Sequence, residues 1–410
     1  MLTRLRNLRG MYPRQFWVLL WGMLLASIGG SMWWPFITIY LREQFDVPLT
    51  QITLLFTLYA GAGLLATSVV GPAVDRFGRR SAMIAGLAIP GLSLSAMGII
   101  HGLGPWAIAL MVTGMFNPMY RVGADAMVAD LVPPEERVNA YAILRMGNNV
   151  GVAIGPAIGG FVAAVSYSLA YFSAGAANLV FALLVFFLVR ETMQRTGDAG
   201  RASERTGYGP VLRDRRFLIF CIIMVMATIP SPLVWMLMPA YAKELFGVLE
   251  SQSGFIMSAN AVMVVLFQVI VTRWSSRHPN LRMLALGALF YGLGVGSVAL
   301  GAGFWAFLMS MVILTFGELL LVPTGSAFAA NAAPPEMRGR YMGLYGMTWN
   351  IAFGIGPVLG GWLNDNIAPA ATWAGGLVAG LMGVAGFLAL QRVIAHRSQV
   401  GETHPSTSHG

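Results

Sequence analysis

Two stretches of this chain repeat each other at one constant offset. Residues 133–162 read PPEERVNAYAILRMGNNVGVAIGPAIGGFV and residues 334–363 read PPEMRGRYMGLYGMTWNIAFGIGPVLGGWL, so Pro133 pairs with Pro334 and Gly160 with Gly361, each 201 residues on. An offset that holds over a whole helix length marks a duplicated half. Both copies lie in apolar sequence, and membrane chains made of two similar halves place their binding path at the interface between the halves.

Only 10% of the 410 residues are charged and 57% are hydrophobic, against about 25% charged usage in soluble domains. From Gln15 to Leu41 and from Val47 to Val74 no ionisable Asp, Glu, Lys, Arg or His appears, longer than the roughly 20 residues that cross the hydrocarbon as a helix. The same rule places spans near 16–41, 50–74, 81–100, 105–129, 140–165, 169–189, 217–241, 253–272, 283–301, 304–330, 341–363 and 370–392. The expected organisation is a six-helix bundle over 1–189, a hydrophilic cytoplasmic linker over 190–216, a second six-helix bundle over 217–393, and a disordered cytoplasmic tail over 394–410.

Lys and Arg are retained on the cytoplasmic side of membrane proteins. Arg4, Arg6, Arg9 and Arg14 precede the first span, Arg76, Arg79 and Arg80 follow the second, and seven arginines from Arg190 to Arg216 crowd the linker; Arg273, Arg277, Arg282, Arg338, Arg340, Arg392 and Arg397 continue the alternation. Both termini are therefore expected in the cytoplasm and the chain in the inner (plasma) membrane. This alternation also explains the net charge of +9 without a nucleic-acid partner, whose footprint would gather on one face. The first apolar run is too long for a signal peptide and lacks a small-residue cleavage site.

Gly71-Pro72-Ala73-Val74-Asp75-Arg76-Phe77-Gly78-Arg79-Arg80 follows the second span: a helix end, a tight turn and a cationic start to the next helix. On this loop the chain resembles the major facilitator superfamily, and the likeness extends over all twelve spans. The resemblance implies an all-α membrane protein with the major facilitator fold, and a conformational switch built from Gly71, Asp75, Arg76, Gly78, Arg79 and Arg80, in which Asp75 latches the two bundles in one state. The matching place in the second half, Thr272-Arg273-Trp274-Ser275-Ser276-Arg277, has cations but neither the acid nor the glycine.

In the fifth span, Gly151, Gly155, Pro156, Gly159 and Gly160 match the pattern that antiporters of the superfamily carry, which implies export. Close helix approach is the competing reading, because small residues let backbones come together and span eleven repeats much of the face with Gly354, Gly356, Pro357, Gly360 and Gly361.

Ionisable residues inside spans cost about 2.5–3.5 kcal/mol at mid-membrane on insertion scales, and function retains them. Arg121 and Asp125 stand four apart on one face of span four, Asp130 near its end, Arg145 in span five and Glu318 in span ten. Arg121 and Asp125 can serve coupling or simply neutralise each other. Glu318 has no basic residue within a turn of it, and an apolar setting disfavours the charged carboxylate, so proton uptake there can follow pH. Gly317-Glu318-Leu319 with Pro323 resembles the tenth helix of bacterial drug/proton antiporters, which implies proton coupling by Glu318 with Asp125, Asp130 and Arg121. Many such antiporters also carry an acid in the first helix, which 16–41 lacks.

A substrate cavity is expected from Arg145, Met146, Asn149, Trp235, Asn260, Trp349 and Asn350, since aromatic and methionine surfaces adapt to varied ligands and buried amides orient them. Asn149 and Asn350 hold equivalent repeat positions. Trp33, Trp34 and Tyr241 are candidates for the same lining, with aromatics of the outer interfacial belt as the favoured reading because they lie near the outer interface. Pro230, Pro232 and Pro239 should break span seven on its outer half. With no phosphate-binding Gly-x-x-x-x-Gly-Lys-Ser/Thr loop, scattered histidines and one cysteine, Cys221, the chain is not expected to be an enzyme or to use a metal or cofactor.

The reading is thus a proton-coupled exporter of apolar or cationic small molecules, a multidrug efflux antiporter, with substrate, protons and membrane lipid as partners and a monomer as the working unit. A specific carrier for a sugar or lipid, running as symporter or uniporter, remains the alternative.

Overall fold

The computed structural model describes residues 12–193, 209–334 and 337–402, and within them every regular element is a helix. The first half consists of α1 (Arg14–Trp33), a 3-10 turn (Trp34–Phe36), α2 (Ile37–Phe45), α3 (Leu49–Phe77), α4 (Arg79–Met97), α5 (Leu103–Leu131), α6 (Arg137–Val165) and α7 (Tyr167–Leu188). After the short α8 (Gly209–Arg213), the second half runs through α9 (Arg215–Thr228), α10 (Pro230–Phe246), α11 (Glu250–Ser275), α12 (Asn280–Val298), α13 (Phe304–Ala332), α14 (Arg338–Asn366) and α15 (Ala371–Glu402). Counting α1 with α2 and α9 with α10 as single crossings gives the twelve spans. Ten are long and apolar enough by length and composition alone; the other two are α5, which carries Arg121, Asp125 and Asp130, and α14.

The duplication reaches the helix ends. Starting at Leu49, Arg79, Leu103 and Arg137, helices α3 to α6 have counterparts that start at Glu250, Asn280, Phe304 and Arg338, each 201 residues later. Gly102 and Gly303, also 201 apart, hold positive φ of 103° and 80° at the starts of α5 and α13, a conformation that glycine adopts without a Cβ penalty.

The repeated glycines seat each half's fifth crossing against its first. A Cβ on Gly155 would strike Ser31 and the Ile28 carbonyl, and one on Gly159 would strike Met32; on Gly356 it would meet Pro232 and Ile229, and on Gly360 Leu233. Ile28, Ser31 and Met32 become Ile229, Pro232 and Leu233 at the same offset, so one close approach is built twice.

Two crossings are interrupted. The first changes to a 3-10 turn at Trp34, with Pro35 in its first positions. The seventh is interrupted at Ile229, with Pro230 opening α10, where a missing N–H costs nothing. The expected break on the outer half is therefore found at mid-span, and Pro239 is carried inside α10. The last helix continues to Glu402, into the expected tail, while 194–208 of the linker and 403–410 lie outside the described residues.

Among the described residues the halves meet tightly at one end and not at the other. Along α14, a Cβ at Gly339 or Gly346 would meet nothing within 4 Å, at Gly354 it would touch the Ala60 methyl at 3.5 Å, and at Gly361 it would crowd Thr53 Oγ1 at 2.6 Å. On the other side a Cβ on Gly160 of α6 would stand 2.5 Å from the Glu250 carbonyl oxygen. The helices thus diverge from the end that holds residues 42–57 toward the end that holds the Gly78 turn.

Candidate functional site: a polar cavity under a closed gate

At the tight end, a set of polar contacts ties the halves together. Lys243 Nζ donates to Glu43 Oε1 and Glu250 Oε1, both at 2.5 Å, and to Tyr167 Oη at 3.1 Å, while Tyr167 Oη donates to Glu250 at 2.6 Å. Arg42 grips Glu244 through two parallel bonds of 3.0 Å, the geometry that favours guanidinium with carboxylate. Thr57 Oγ1 donates to the Gly354 carbonyl at 2.5 Å.

Asp365, just past the 341–363 span, receives Thr50 Oγ1 and N at 2.6 and 2.7 Å, Asn364 Nδ2 at 3.0 Å and Leu49 N at 3.3 Å. Partial burial works against its charge, but these donors outweigh it and hold the carboxyl below the usual aspartate range.

Beneath the gate the first half encloses a cavity of 790 Å³. Its wall includes Arg121 and Asp125 from α5, Arg145, Asn148 and Asn149 from α6, and Trp33, Trp34, Tyr59, Tyr120, Asn117 and Asn178. Of the expected site residues, Arg121, Asp125, Arg145 and Asn149 come together here. Arg121 and Asp125 share a helix face without reaching ion-pair distance among the described residues.

Of the two readings of Trp33 and Trp34, cavity lining and interfacial belt, the structure has both on the cavity wall. Trp33 is 5% exposed and packs against Trp34 and Tyr171, and Trp34 lies against Phe56 and Tyr59 on the cavity wall. The 3-10 turn at Pro35 folds both indoles inward. Tyr241 packs on Trp373, Phe246 and Phe307 near the closed end, away from the cavity of the first half.

Glu318 lies in the second half. Its Oε2 accepts a 2.7 Å bond from Asn260 Nδ2, which also donates to Thr315 Oγ1 at 3.0 Å, and no cation pairs with it among the described residues. Trp235 packs into the second half's core, Trp349 lies at its edge, and Met146 and Asn350 are exposed.

Asp130 stands apart from both acids. Its carboxylate pairs with Arg79 at 3.2 Å and accepts from Thr192 Oγ1 at 2.8 Å, which joins it to the Gly78 turn. Gly78 has φ of 94°, and the Glu191 carboxylate accepts from the backbone N–H of Arg79 and Arg80 at 3.1 Å each, a carboxylate placed on the positive end of α4. Asp75 approaches Arg79 at 3.6 Å with its side chain 75% exposed. Gly71 has open space where a Cβ would stand, and Arg76 lies over the Phe77 ring. Sequence reasoning misses Glu191, because it stands at the edge of the linker, where charged residues read as solvated.

Two six-helix bundles of one chain, joined at one end over a polar cavity and parted at the other, are the architecture of secondary membrane transporters. The chain belongs to the Major Facilitator Superfamily, whose family model matches residues 19–248 and 225–407.

The chain is 26% identical over 381 residues to a Na(+), Li(+), K(+)/H(+) antiporter of Planococcus maritimus, covering 85% of this chain and 89% of the relative. It is 23% identical over 378 residues to the multidrug resistance protein MdtH of Escherichia coli, covering 90% and 91%. Among solved structures, the nucleoside transporter NupG superposes with a TM-score of 0.74 at 14% identity, over 93% of this chain and 99% of that one. A POT family transporter in complex with a thioalcohol-conjugated peptide superposes with a TM-score of 0.76 at 15% identity, over 94% and 96%. These two share the fold.

Proposed function

We propose that this multi-pass membrane transporter is a proton-driven exporter of apolar or cationic small molecules that works by alternating access in the plasma membrane, with both termini in the cytoplasm. The carrying observation is Glu318: a carboxylate inside a span, held by a neutral amide and free of any cation among the described residues. Such a group gains and loses a proton without breaking an ion pair, and membrane proteins retain it for function. Proton binding at Glu318, helped by Asp125, favours one orientation of the bundles, and substrate competes with it.

The arginine-rich ends of the helices put the parted end in the cytoplasm, so the chain stands inward-facing with its outer gate shut. Relatives named as a proton antiporter and as a multidrug resistance protein support export against protons.

The test is purified protein in liposomes with an imposed pH gradient and ethidium as the probe. The gradient should drive ethidium transport in the wild type, and Glu318→Gln should reduce it to the rate of empty liposomes. A normal rate in that variant overturns the assignment. Sodium and potassium are the second cargo to test, as the Planococcus maritimus relative's name specifies those ions.

A further inference from the structure

We propose that the cavity of the first half is an anion-binding subsite that takes the carboxylate of acidic or zwitterionic amphiphiles, which extends the cargo beyond apolar and cationic molecules. The inference rests on the reading of this cavity as part of the transport path.

Arg121 and Arg145 come from different helices and line the same 790 Å³ space. Among the described residues neither guanidinium makes a hydrogen bond or an ion pair. Asp125 is the one acidic group on the wall among the described residues; it reaches ion-pair distance with neither, yet it lies in the field of Arg121, so two cations face one anion, the lining carries a net charge of 2 − 1 = +1, and Arg145 is the charge in excess. Charged side chains that face a cavity within a membrane protein mark substrate and ion paths, and the planar fork of a guanidinium matches a carboxylate in two parallel bonds.

Neither arginine has a structural duty visible in the bundle. Their counterparts across the duplication, 201 residues on, are Val322 and Gly346, so an equivalent six-helix bundle assembles without them. The rest of the wall suits an amphiphile. Asn148 spends its Oδ1 as acceptor for Ser27 Oγ at 2.7 Å, which leaves its amide N–H groups to donate. Trp33, Trp34 and Tyr59 supply apolar surface for the body of the ligand.

The test is equilibrium binding to the purified full chain in detergent, read by fluorescence anisotropy, with dansylglycine as the carboxylate probe and its methyl ester as the uncharged control. The wild type should bind the carboxylate about tenfold more tightly than the ester, the discrimination expected of one charge-assisted, two-bond pair. Arg145→Gln and Arg121→Gln should each shrink that preference to within about twofold, while Arg145→Lys keeps part of it through its charge. Because the readout is a ratio within each variant, loss of folded protein does not imitate the effect, and the wild-type ratio needs no variant. Equal affinity for the two probes, binding of neither, or an undiminished preference in both glutamine variants overturns the proposal. Binding needs no gradient: arginine-dependent carboxylate binding beside a fully active Glu318→Gln transporter would leave this subsite standing and remove proton-driven export.

Discussion

Asn260 donates a 2.7 Å hydrogen bond to Glu318 at the position where, 201 residues earlier, Asn117 donates a 3.1 Å bond to Tyr59. Tyr59 corresponds to Asn260 and Asn117 to Glu318, so one inter-helix hydrogen bond is made in both bundles and only the second copy contains an acid. Asn117 lines the cavity of the first half. The duplication therefore gives Glu318 the helix register of Asn117, and this acid in place of an amide is one of the charge differences between the bundles, beside Arg121 and Arg145, whose counterparts are Val322 and Gly346.

Asn260 tunes Glu318 without replacing it. A hydrogen bond to a charged group contributes about 1.5–3 kcal/mol, so Asn260→Ala should slow gradient-driven transport by roughly tenfold or more and retain its pH dependence. Transport in Glu318→Gln should be flat with pH. Rates measured from pH 5 to 9 in liposomes separate the two, and a flat profile in Asn260→Ala would refute the distinction.

Lys243 ties the closed end together, which on the proposed function is the outer gate. It bridges Glu43 of the first half and Glu250 of the second, and Glu250 is 7% exposed, so Lys243→Ala strands a nearly buried carboxylate. Exposed pairs contribute under about 1 kcal/mol and broken buried pairs cost about 3–5 kcal/mol; this half-exposed lysine falls between, and the gate should open roughly tenfold more often. Gly30→Cys gives the readout, since Gly30 lines the cavity and a Cβ there meets nothing within 4 Å, while the native Cys221 is buried. Labelling by an impermeant maleimide from the gate side of sealed vesicles should accelerate about tenfold.

Much of this fold is legible in the sequence for a physical reason: lipid demands long apolar helices, and a duplication writes its own correspondence. Rotation of each helix about its axis is not written there. Asn117, Asn148 and Asn178 reach the cavity because neighbouring helices turn them inward, and nothing local marks them. Trp33 and Trp34 escape the belt pattern because their depth depends on the Pro35 turn. Asp130 lies just past the 105–129 span, but its partners Arg79 and Thr192 come from other parts of the chain and cannot be read from its surroundings in sequence.

Acid should loosen the Asp365 contact. Its carboxyl is held below the usual range by Thr50 and Leu49 of the other half, so the contact favours closure above the ordinary aspartate value of about 3.9 and is lost as pH falls through the lowered one. Labelling of Gly30→Cys should be unaffected by pH changes above about 5 on this account and rise only below about 4. Asp365→Asn should remove that acid-dependent rise.

Glycines at the closed end should be far less tolerant than those at the parted end. Gly254 of α11 faces the Pro156 carbonyl directly and Gly361 crowds Thr53, whereas Gly346 has open space. Gly361→Val should disfavour the closed gate by about 1–3 kcal/mol, the usual cost of overpacking, and Gly346→Ala should leave gate labelling unchanged. Equal labelling rates in the two variants would contradict the wedge-shaped interface.

The proposed alternating access gives Asp75 a test in the other conformation. In this state its side chain is 75% exposed and, among the described residues, its one ion pair, to Arg79, is loose at 3.6 Å, a pair worth under about 1 kcal/mol. Asp75→Asn should therefore leave thermal stability and equilibrium ligand binding in detergent unchanged. If the exposed carboxylate latches the bundles once the parted end closes, the same variant should cut turnover at least tenfold, and gate labelling of Gly30→Cys should fall because the outward-open state loses its tie. A substitution that is silent in stability and binding and costly in turnover identifies a contact made only after the bundles rock. Unimpaired transport in Asp75→Asn would assign the Gly78 turn to helix capping by Glu191 alone.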